Sequence, residues 1–397
     1  MSVRRPPKVL PESGRKDHDG PYAGTTRGEF QATTLRLIDE ITQDHTLEGI
    51  GVTATAETGV PLDHGLQPST PLISPAPGDH VALVGTALAD WDSHSGIDSI
   101  EWCRTIADLR SPMTSLDSLA YDDGTFAMVA MDQRESLRTM LAAEGRDDSP
   151  QAIARFKAGV AEHLASLASG FLIDTGYDIA LPPGPGLILA ADHLTQERGG
   201  PVTDTHLDET VDPSAARRRG TVALKLLVIW KRDDQRRRRV EMAEEFVRRC
   251  GSAGLLSVLE PVVQPASGET DFDLDTAIVE AAEALGRTRP DLYKAQVPSH
   301  GVGDADSIVK TCTRLTEILP VPWVVLSNGV ARDDFPRAVE LACSGGASGT
   351  LAGRALWTPA LATDDPTPSL AGPCRQRLSD IAGIVHRTGR PWPEAVA

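Results

Sequence analysis

The stretch DLYKAQVP, Asp291 to Pro298, decides how the rest of this chain is interpreted. A single lysine, Lys294, lies inside an apolar run that is typical of a buried β-strand and ends at a proline. A lysine in such a strand is expected to face a shared interior, where loss of water disfavours the ammonium ion and favours the neutral, nucleophilic amine. When such a lysine occurs alone, the favoured alternative is a side chain that extends from the strand end to solvent.

Two more charged residues lie in equally apolar strands elsewhere in the sequence. Lys225 is in ALKLLVIW, and Glu260 is in LLSVLEPVV. Buried charges are costly unless they are paired, so three of them on three strands predict one shared polar site. A buried amine in such a site is able to attack a ketone and form a Schiff base.

Apolar segments alternate with amphipathic ones from about Leu116 onward. We predict eight strands, which begin at Phe126, Gly170, Gly186, Ala223, Leu255, Leu292, Trp323 and Gly349. Helices are predicted over Glu135–Ala143, Glu241–Cys250, Leu274–Leu285, Asp304–Leu319 and Phe335–Cys343. Strands that are apolar throughout are covered on both faces, and eight of them with intervening helices imply an α/β fold, a closed (β/α)8 TIM barrel. A doubly wound open sheet is the rival, but no GxGxxG turn follows the first strand.

Polar residues follow the ends of these strands, which converge at one mouth in a (β/α)8 barrel. Carboxylates end the first three strands, at Asp132, Asp174 and Asp192. Taken alone, Asp174 is more typical of a helix N-cap or a loop carboxylate. The seventh and eighth strands end in Ser327-Asn328-Gly329 and Gly353-Arg354, and these glycines with a guanidinium predict an anion site. Outside a barrel, tight-turn geometry explains Ser327 and the glycines equally well.

The composition excludes several classes of protein. A chain of 397 residues that is 40% hydrophobic is long enough for one large domain and an appendage. A formal charge of -17 disfavours nonspecific binding to nucleic acid or to an anionic membrane. Five scattered cysteines without a CxxC pair predict reduced thiols, and no apolar run is long enough to span a bilayer. We therefore expect a cytoplasmic protein.

The chain divides near residue 110. The first 28 residues are rich in Pro, Gly and charged residues without periodicity, which is typical of disorder. A helix is predicted from Phe30 to Ile41 and a strand from His80 to Leu88, but no chemical motif accompanies them. We interpret residues 1–110 as an N-terminal extension, partly disordered or a small appended segment, and residues 111–397 as the barrel domain.

Several long blocks of sequence resemble a known family. They are GTFAMVAMDQRESLR from Gly124, ALKLLVIW, LLSVLEPVV, DLYKAQVP, WVVLSNGV and FPRAVELACSGGASGTLAGRALW from Phe335. From about Ser115 to Arg387 the chain resembles the class I aldolases related to tagatose-1,6-bisphosphate aldolase, and it is most similar to their sulfofructosephosphate aldolase branch. The resemblance implies cleavage of a ketose phosphate without a metal or other cofactor, through a Schiff base on Lys294.

The same resemblance implies which other residues form the site. It assigns Lys225 and Glu260 to the active site, and it assigns the motifs Ser327-x-Gly329 and Gly353-Arg354 to an anionic end of the substrate. Two positions depart from the branch, which usually has Ser at the position of Asn328 and Glu at the position of Gln296.

The chemistry that the resemblance implies is a retro-aldol cleavage. The expected substrate is 6-deoxy-6-sulfofructose 1-phosphate, which would give dihydroxyacetone phosphate and sulfolactaldehyde. Tagatose 1,6-bisphosphate or a deoxy-keto-gluconate phosphate is the alternative. The Lys225 cation is expected to keep Lys294 deprotonated, and either Glu260 or Asp132 to carry protons. Gln133 and Arg134 are expected to hold substrate groups, with an ion pair at the rim an equal alternative for Arg134.

Two other functional classes compete with this interpretation. A metal-dependent lyase needs several imidazoles or carboxylates around one ion, but the only histidines near predicted strand ends are His193 and His300. A noncatalytic sugar-phosphate-binding protein would not need Lys225, Glu260 and Lys294 together. In either case we expect a homo-oligomer that binds a phosphorylated ketose.

Overall fold

The computed structural model of the protein describes residues 114–176, 184–197 and 199–395. The predicted N-terminal extension, with its helix and its strand, lies outside these residues. Ten strands occur within them: β1 (Phe126–Met131), β2 (Gly170–Ile173), β3 (Gly186–Ala190), β4 (Asp192–Gln196), β5 (Val202–Leu207), β6 (Thr221–Trp230), β7 (Leu256–Val263), β8 (Leu292–Ala295), β9 (Trp323–Val325) and β10 (Gly349–Ala352).

Helices follow most of the strands. The α-helices of the described residues are α1 (Glu135–Ala143), α2 (Pro150–Leu164), α3 (Pro213–Arg218), α4 (Arg236–Ser252), α5 (Leu274–Leu285), α6 (Ala305–Ile318), α7 (Phe335–Ser344), α8 (Arg354–Trp357), α9 (Thr367–Ser369), α10 (Arg375–Thr388) and α11 (Trp392–Ala395). Short 3₁₀ segments span Leu116–Ser118, Ala165–Leu167, Gly286–Thr288, Pro298–Gly301 and Thr358–Ala362, and a π-helical segment spans Leu370–Cys374. Within the same described ranges, no helix combines the length and apolar character needed to cross a bilayer.

Eight of the strands close into a parallel barrel in the order β1-β2-β3-β6-β7-β8-β9-β10. These are the eight predicted strands, and the prediction of a (β/α)8 barrel is confirmed. The longest pairing joins β6 to β7, where eight consecutive residues from Ala223 to Trp230 oppose Leu256 to Val263. This pairing fixes the heights of Lys225 and Glu260 relative to each other.

Apolar side chains fill the barrel interior, and charged side chains lie at its mouth, where the carboxyl ends of the strands meet. A cluster of fully or nearly fully buried side chains, including Phe126, Met128, Leu172, Val258 and Leu292, fills the barrel. A second cluster lies between the strands and the surrounding helices. Side chains on a strand alternate between its two faces, so the residues two positions beyond the interior ones are directed to the mouth.

Several predicted helices agree closely with the observed ones, and capping residues mark the starts of two of them. The predictions for α1 and α5 are confirmed residue for residue, whereas α4 begins at Arg236 rather than at Glu241. Asp273 caps α5 by accepting a hydrogen bond from the backbone of Thr276, and Asp304 caps α6 in the same way from Ser307.

An antiparallel hairpin of the described chain was not predicted. β4 and β5 form an antiparallel hairpin between the third and fourth barrel strands, followed by the short helix α3. Its strands are mostly polar and half-exposed, so they lack the apolar run by which the barrel strands were recognised. The hairpin begins at Asp192, and it therefore starts at the mouth of the barrel.

Candidate active site

Three neighbouring barrel strands bring the predicted charged residues together. Lys225, Glu260 and Lys294 lie on β6, β7 and β8. The Nζ of Lys294 lies 3.0 Å from Oε1 of Glu260, and the Nζ of Lys225 lies 3.1 Å from Oε2 of the same carboxylate. The side chains are only 1% (Lys225), 9% (Glu260) and 4% (Lys294) exposed. One buried carboxylate therefore lies between two buried lysines and contacts both.

Two aspartates complete the surroundings of Lys225. Its Nζ donates to Oδ2 of Asp132, just after β1, at 2.7 Å and to Oδ2 of Asp192, at the start of β4, at 3.0 Å. The backbone N–H of Leu227 donates to the same oxygen of Asp192 at 3.0 Å. Asp132 was a predicted site residue, but Asp192 was not. The signal that could have found Asp192 is its spacing, two residues beyond the interior Ala190.

The charges of Lys225 and Asp132 stabilise each other. Burial alone would lower the pKa of Lys225, but Asp132, Asp192 and Glu260 outweigh it and raise that pKa well above its usual value. Burial alone would raise the pKa of Asp132, but the nearby cations, chiefly Lys225, lower it well below its usual range. The pair is therefore ammonium and carboxylate near neutral pH. Three carboxylates thus surround Lys225, and the expectation that this cation keeps Lys294 partly deprotonated stays a prediction.

The turns after β9 and β10 meet beside these charges. The Arg354 guanidinium donates to Oδ1 of Asn328, which links the two predicted anion-binding motifs. Ser327 is buried, and Gly329 has a φ of +81°, where a β-carbon would also overlap the imidazole of His300. Glycine is therefore required at this turn by both its conformation and its surroundings.

Gly353 allows a second close approach at the same end of the barrel. A β-carbon on Gly353 would lie 2.6 Å from the carbonyl oxygen of Ala130 and 2.9 Å from Nε2 of Gln133. Gln133 thus lies against the Gly353-Arg354 turn, and its role as a substrate contact stays a prediction. Its Oε1 is buried without a hydrogen-bond partner among the described residues.

Burial also acts on Arg354. It lowers the pKa of this guanidinium, while the negative charges of Glu260 and Asp132 oppose that change. An arginine remains protonated at neutral pH even with a lowered pKa. Arg354 therefore carries a fixed positive charge on which Glu260 and Asp132 act electrostatically.

For Arg134, the ion-pair alternative is the one observed. Its guanidinium contacts Oδ2 of Asp174 at 3.5 Å and Oδ1 of Asp192 at 3.3 Å. Of the two alternatives favoured for Asp174, the loop carboxylate is observed: it follows β2 and caps no helix within the described chain. It is 3% exposed and bonded to Lys157 of α2.

The two departures from the family pattern both make contacts inside the described structure. Asn328 accepts the hydrogen bond from Arg354. Gln296 is buried, and its Oε1 accepts a 2.6 Å hydrogen bond from the backbone N–H of Val263, which ties β8 to the end of β7. An amide makes this contact without adding a negative charge next to Lys294 and Glu260.

The histidines are dispersed. His193 is exposed on β4, and His300 lies in the turn after β8 with φ +51°. Among residues 114–176, 184–197 and 199–395, no group of three or more histidine, cysteine or acidic side chains is arranged to hold a metal ion.

Comparison with known proteins relates this arrangement to sugar aldolases. A tagatose 1,6-diphosphate aldolase of Listeria monocytogenes is 25% identical over 271 residues, which cover 61% of this chain and 80% of the relative. An enzyme of the same name from Enterococcus faecalis is 26% identical over 273 residues, covering 61% and 82%.

A solved structure supports the fold alone. The fructose-bisphosphate aldolase of Plasmodium falciparum, crystallised with TRAP and an inhibitor, superimposes with a TM-score of 0.54 at 11% identity, over 69% of this chain and 93% of that one. The sequence pattern of the DeoC/LacD family aldolases matches residues 126–359, more than half of the chain and the whole of the barrel strands. The chain therefore belongs to the DeoC/LacD aldolase family and is an enzyme of the class I aldolase type.

Proposed function

We propose that this aldolase cleaves a ketose phosphate through a Schiff base on Lys294. The observation that carries the proposal is that one carboxylate, Glu260, contacts two lysines whose surroundings differ. Lys225 is held as an ammonium ion by three carboxylates and is a poor nucleophile. Lys294 contacts the shared carboxylate at 3.0 Å, and Glu260 is positioned to take its proton and free the amine.

The reaction then proceeds in balanced steps. The Lys294 amine attacks the C2 ketone, and Glu260 returns a proton to the carbinolamine oxygen, which leaves as water and gives an iminium ion. A base removes the C4 hydroxyl proton, the C3–C4 bond breaks, and its electron pair moves to the iminium nitrogen to form an enamine. The aldehyde departs, C3 takes up a proton, and hydrolysis releases dihydroxyacetone phosphate and regenerates Lys294.

The positions of Glu260 and Asp132 support different roles for the two carboxylates in proton transfer. Glu260 contacts Lys294 directly, which favours it over Asp132 for the steps at the nitrogen. The lowered pKa of Asp132 makes it a weak base and a good permanent partner for Lys225. We propose that Asp132 chiefly holds Lys225, and that the iminium forms beside the carboxylate of Glu260.

The phosphate end of the substrate is proposed to bind between the turns after β9 and β10. Arg354 supplies a guanidinium, and the backbone around Ser327, Gly329 and Gly353 allows close approach of an anion. The buried Oε1 of Gln133 is an acceptor suited to a substrate hydroxyl. Arg134 is not included, because two carboxylates already engage its guanidinium.

Three candidate substrates are proposed. The resemblance of the sequence favours 6-deoxy-6-sulfofructose 1-phosphate, with sulfolactaldehyde as the second product. The named relatives from Listeria and Enterococcus favour tagatose 1,6-bisphosphate. A deoxy-keto-gluconate phosphate is a further alternative. A phosphorylated sugar is retained inside the cell, which is consistent with a cytoplasmic enzyme, and a homo-oligomer stays a prediction.

The test combines trapping with a substrate panel. Borohydride added with each ketose phosphate should reduce the iminium to a stable amine, and peptide mapping should find the adduct on Lys294. Lys294→Ala should remove both adduct and turnover, and Lys310→Ala, on the exposed side of α6, is the control that should retain both. An adduct on Lys225 would contradict the assignment. A protein that binds the sugars but releases neither dihydroxyacetone phosphate nor, from a deoxy-keto-gluconate phosphate, pyruvate would favour the noncatalytic alternative.

A further inference from the structure

A buried ion pair beside the site has no part in the proposed chemistry. Lys157, on α2, is fully buried, and its ammonium contacts the carboxylate of Asp174, which follows β2. The second oxygen of Asp174 lies 3.5 Å from Nε of Arg134. A pair of charges therefore connects the helix layer to an arginine at the mouth of the barrel.

Arg134 continues this connection to the active site. Its NH1 donates to the carbonyl oxygen of Asp192 at 2.8 Å, and its NH2 lies 3.3 Å from Oδ1 of the same residue. The other carboxylate oxygen of Asp192 accepts from Nζ of Lys225 and from the backbone of Leu227, both at 3.0 Å. The Asp192 carboxylate is thus held from both sides, and rotating it would remove a partner from Lys225.

Stability does not explain the Lys157–Asp174 pair. Burial raises the pKa of Asp174 and lowers that of Lys157, so each group is displaced toward its neutral form despite its partner. Replacing a buried ion pair with apolar residues of similar volume is often neutral or stabilising. The geometry that the pair imposes on Arg134 is a better explanation for its presence.

We propose that Lys157 and Asp174 are positioning residues for the aldol site, holding Arg134 against Asp192 and thereby fixing the carboxylate that orients Lys225. This inference rests on the proposed function, because the orientation of Lys225 and Glu260 matters to turnover only if Lys294 forms the Schiff base. None of Lys157, Asp174 and Arg134 contacts the reacting atoms in that mechanism. Their loss should therefore slow the chemical steps rather than weaken substrate binding.

The test uses a double variant that removes both charges. Lys157→Met with Asp174→Leu removes both charges of this buried pair together, so the midpoint of urea unfolding should stay close to that of the parent. The turnover number should fall roughly tenfold to a hundredfold, as expected for a small misplacement of catalytic groups. The Michaelis constant should stay within about threefold.

A second ion pair, with a buried arginine and a half-buried aspartate, provides the control. Arg239, on α4, is 3% exposed and donates to Asp233 at 2.5 and 2.8 Å, with no described contact to Arg134 or Asp192. Arg239→Met with Asp233→Asn should leave the turnover number unchanged. A double variant of Lys157 and Asp174 that keeps the parent's turnover number would overturn the proposal.

A readout independent of turnover separates this inference from the proposed function. Reductive methylation with formaldehyde and a borane reductant, followed by peptide mass spectrometry, measures how accessible the Lys225 amine is. Lys225 should be methylated severalfold faster in the double variant than in the parent, and an unchanged rate overturns the proposal. If the parent shows no trapped adduct with any ketose phosphate, the proposed function fails, while the methylation comparison still decides the positioning role.

Should the double variant not fold, Arg134→Met interrupts the same series of contacts at a half-exposed residue. It is measured in the same way, with the same two outcomes.

Discussion

Replacing Lys225 with methionine tests the central charge arrangement of the site. The change leaves Asp132, Asp192 and Glu260 buried around a thioether instead of an ammonium ion. At an effective dielectric constant of about 20, each contact near 3 Å contributes about 5 to 6 kcal/mol before desolvation is counted. Desolvation offsets much of this, and removing one partner of a buried ionic cluster typically costs about 3–5 kcal/mol. We expect a loss of that size in the free energy of unfolding at pH 8.

The pH dependence of the loss has a definite sign. In the parent, the pKa of Asp132 is lowered, so its contribution to stability is present above its unfolded pKa and is lost as pH falls through the folded value. Without Lys225, burial opposes ionisation of Asp132 with fewer cations to counter it, and we expect its pKa to rise above the unfolded value. The stabilisation then comes from the protonated form and is lost as pH rises. The variant should therefore be closest to the parent in stability at about pH 5.

Urea unfolding followed by circular dichroism at pH 5 and pH 8 measures both effects. Lys310→Met, at an exposed lysine of α6, is the matched control and should change stability by less than about 0.5 kcal/mol. If Lys225→Met were as stable as this control at pH 8, or lost more stability at pH 5 than at pH 8, the reasoning about the three carboxylates would be refuted.

Other changes test other parts of the site and the chain. Gly353→Ala should cost about 1–3 kcal/mol of stability and lower kcat/KM, because its β-carbon would lie 2.6 Å from a backbone oxygen; Gly176→Ala, with no atom within 4 Å, is the control. Arg354→Met should lower kcat/KM by about 2–4 kcal/mol, and comparing sulfonate with phosphate at C6 identifies the end that it holds. An equal loss would point to the C1 phosphate, and no loss for any substrate would remove Arg354 from the site. Chelators should leave turnover unchanged, since the iminium serves as the electron sink; loss of activity that zinc restores would contradict the Schiff base. A chain that begins at Ser111 should fold and keep most of its rate, and its insolubility would contradict the proposed domain boundary.

Much of the fold was predictable because the barrel strands are apolar and the site residues follow a two-residue period. Leu256, Val258 and Glu260 share one face of β7, just as Leu292 and Lys294 share one face of β8. A charge at the end of such an apolar series is directed to the mouth of the barrel. This rule accounts for three of the strand-end carboxylates as well, although it was applied only to Asp132 when the site was predicted.

The features that were not predicted depend on contacts between elements that are distant in the sequence. Lys157 lies on the buried face of α2 together with Phe156 and Val160. Its position within that apolar face was the sequence signal that could have indicated its burial. Its partner, Asp174, follows a different strand, and single-sequence patterns do not pair residues across the fold. The helix itself has a clear start, a serine cap followed by Pro150, but it was not among the predicted helices.

The hairpin of β4 and β5 escaped prediction for a related reason. Its strands carry His193, Thr195 and similar polar residues, and its buried positions are few. Such strands are specified by their turn and by neighbouring elements rather than by their own hydrophobic pattern. The ion pair between Arg238 of α4 and Asp204 of β5 is one such neighbouring contact.

The long pairing between β6 and β7 limits which sequence changes related enzymes with this barrel can accept. Because side chains alternate between the faces of a strand, inserting or deleting one residue ahead of Lys225 would turn its ammonium outward among the helices and bring a neighbouring leucine inward. The eight paired positions from Ala223 to Trp230 resist such a slip. Related aldolases with new substrates are therefore expected to differ in the turns beyond the strands, while β6 tolerates substitutions of its residues but not a change in their number.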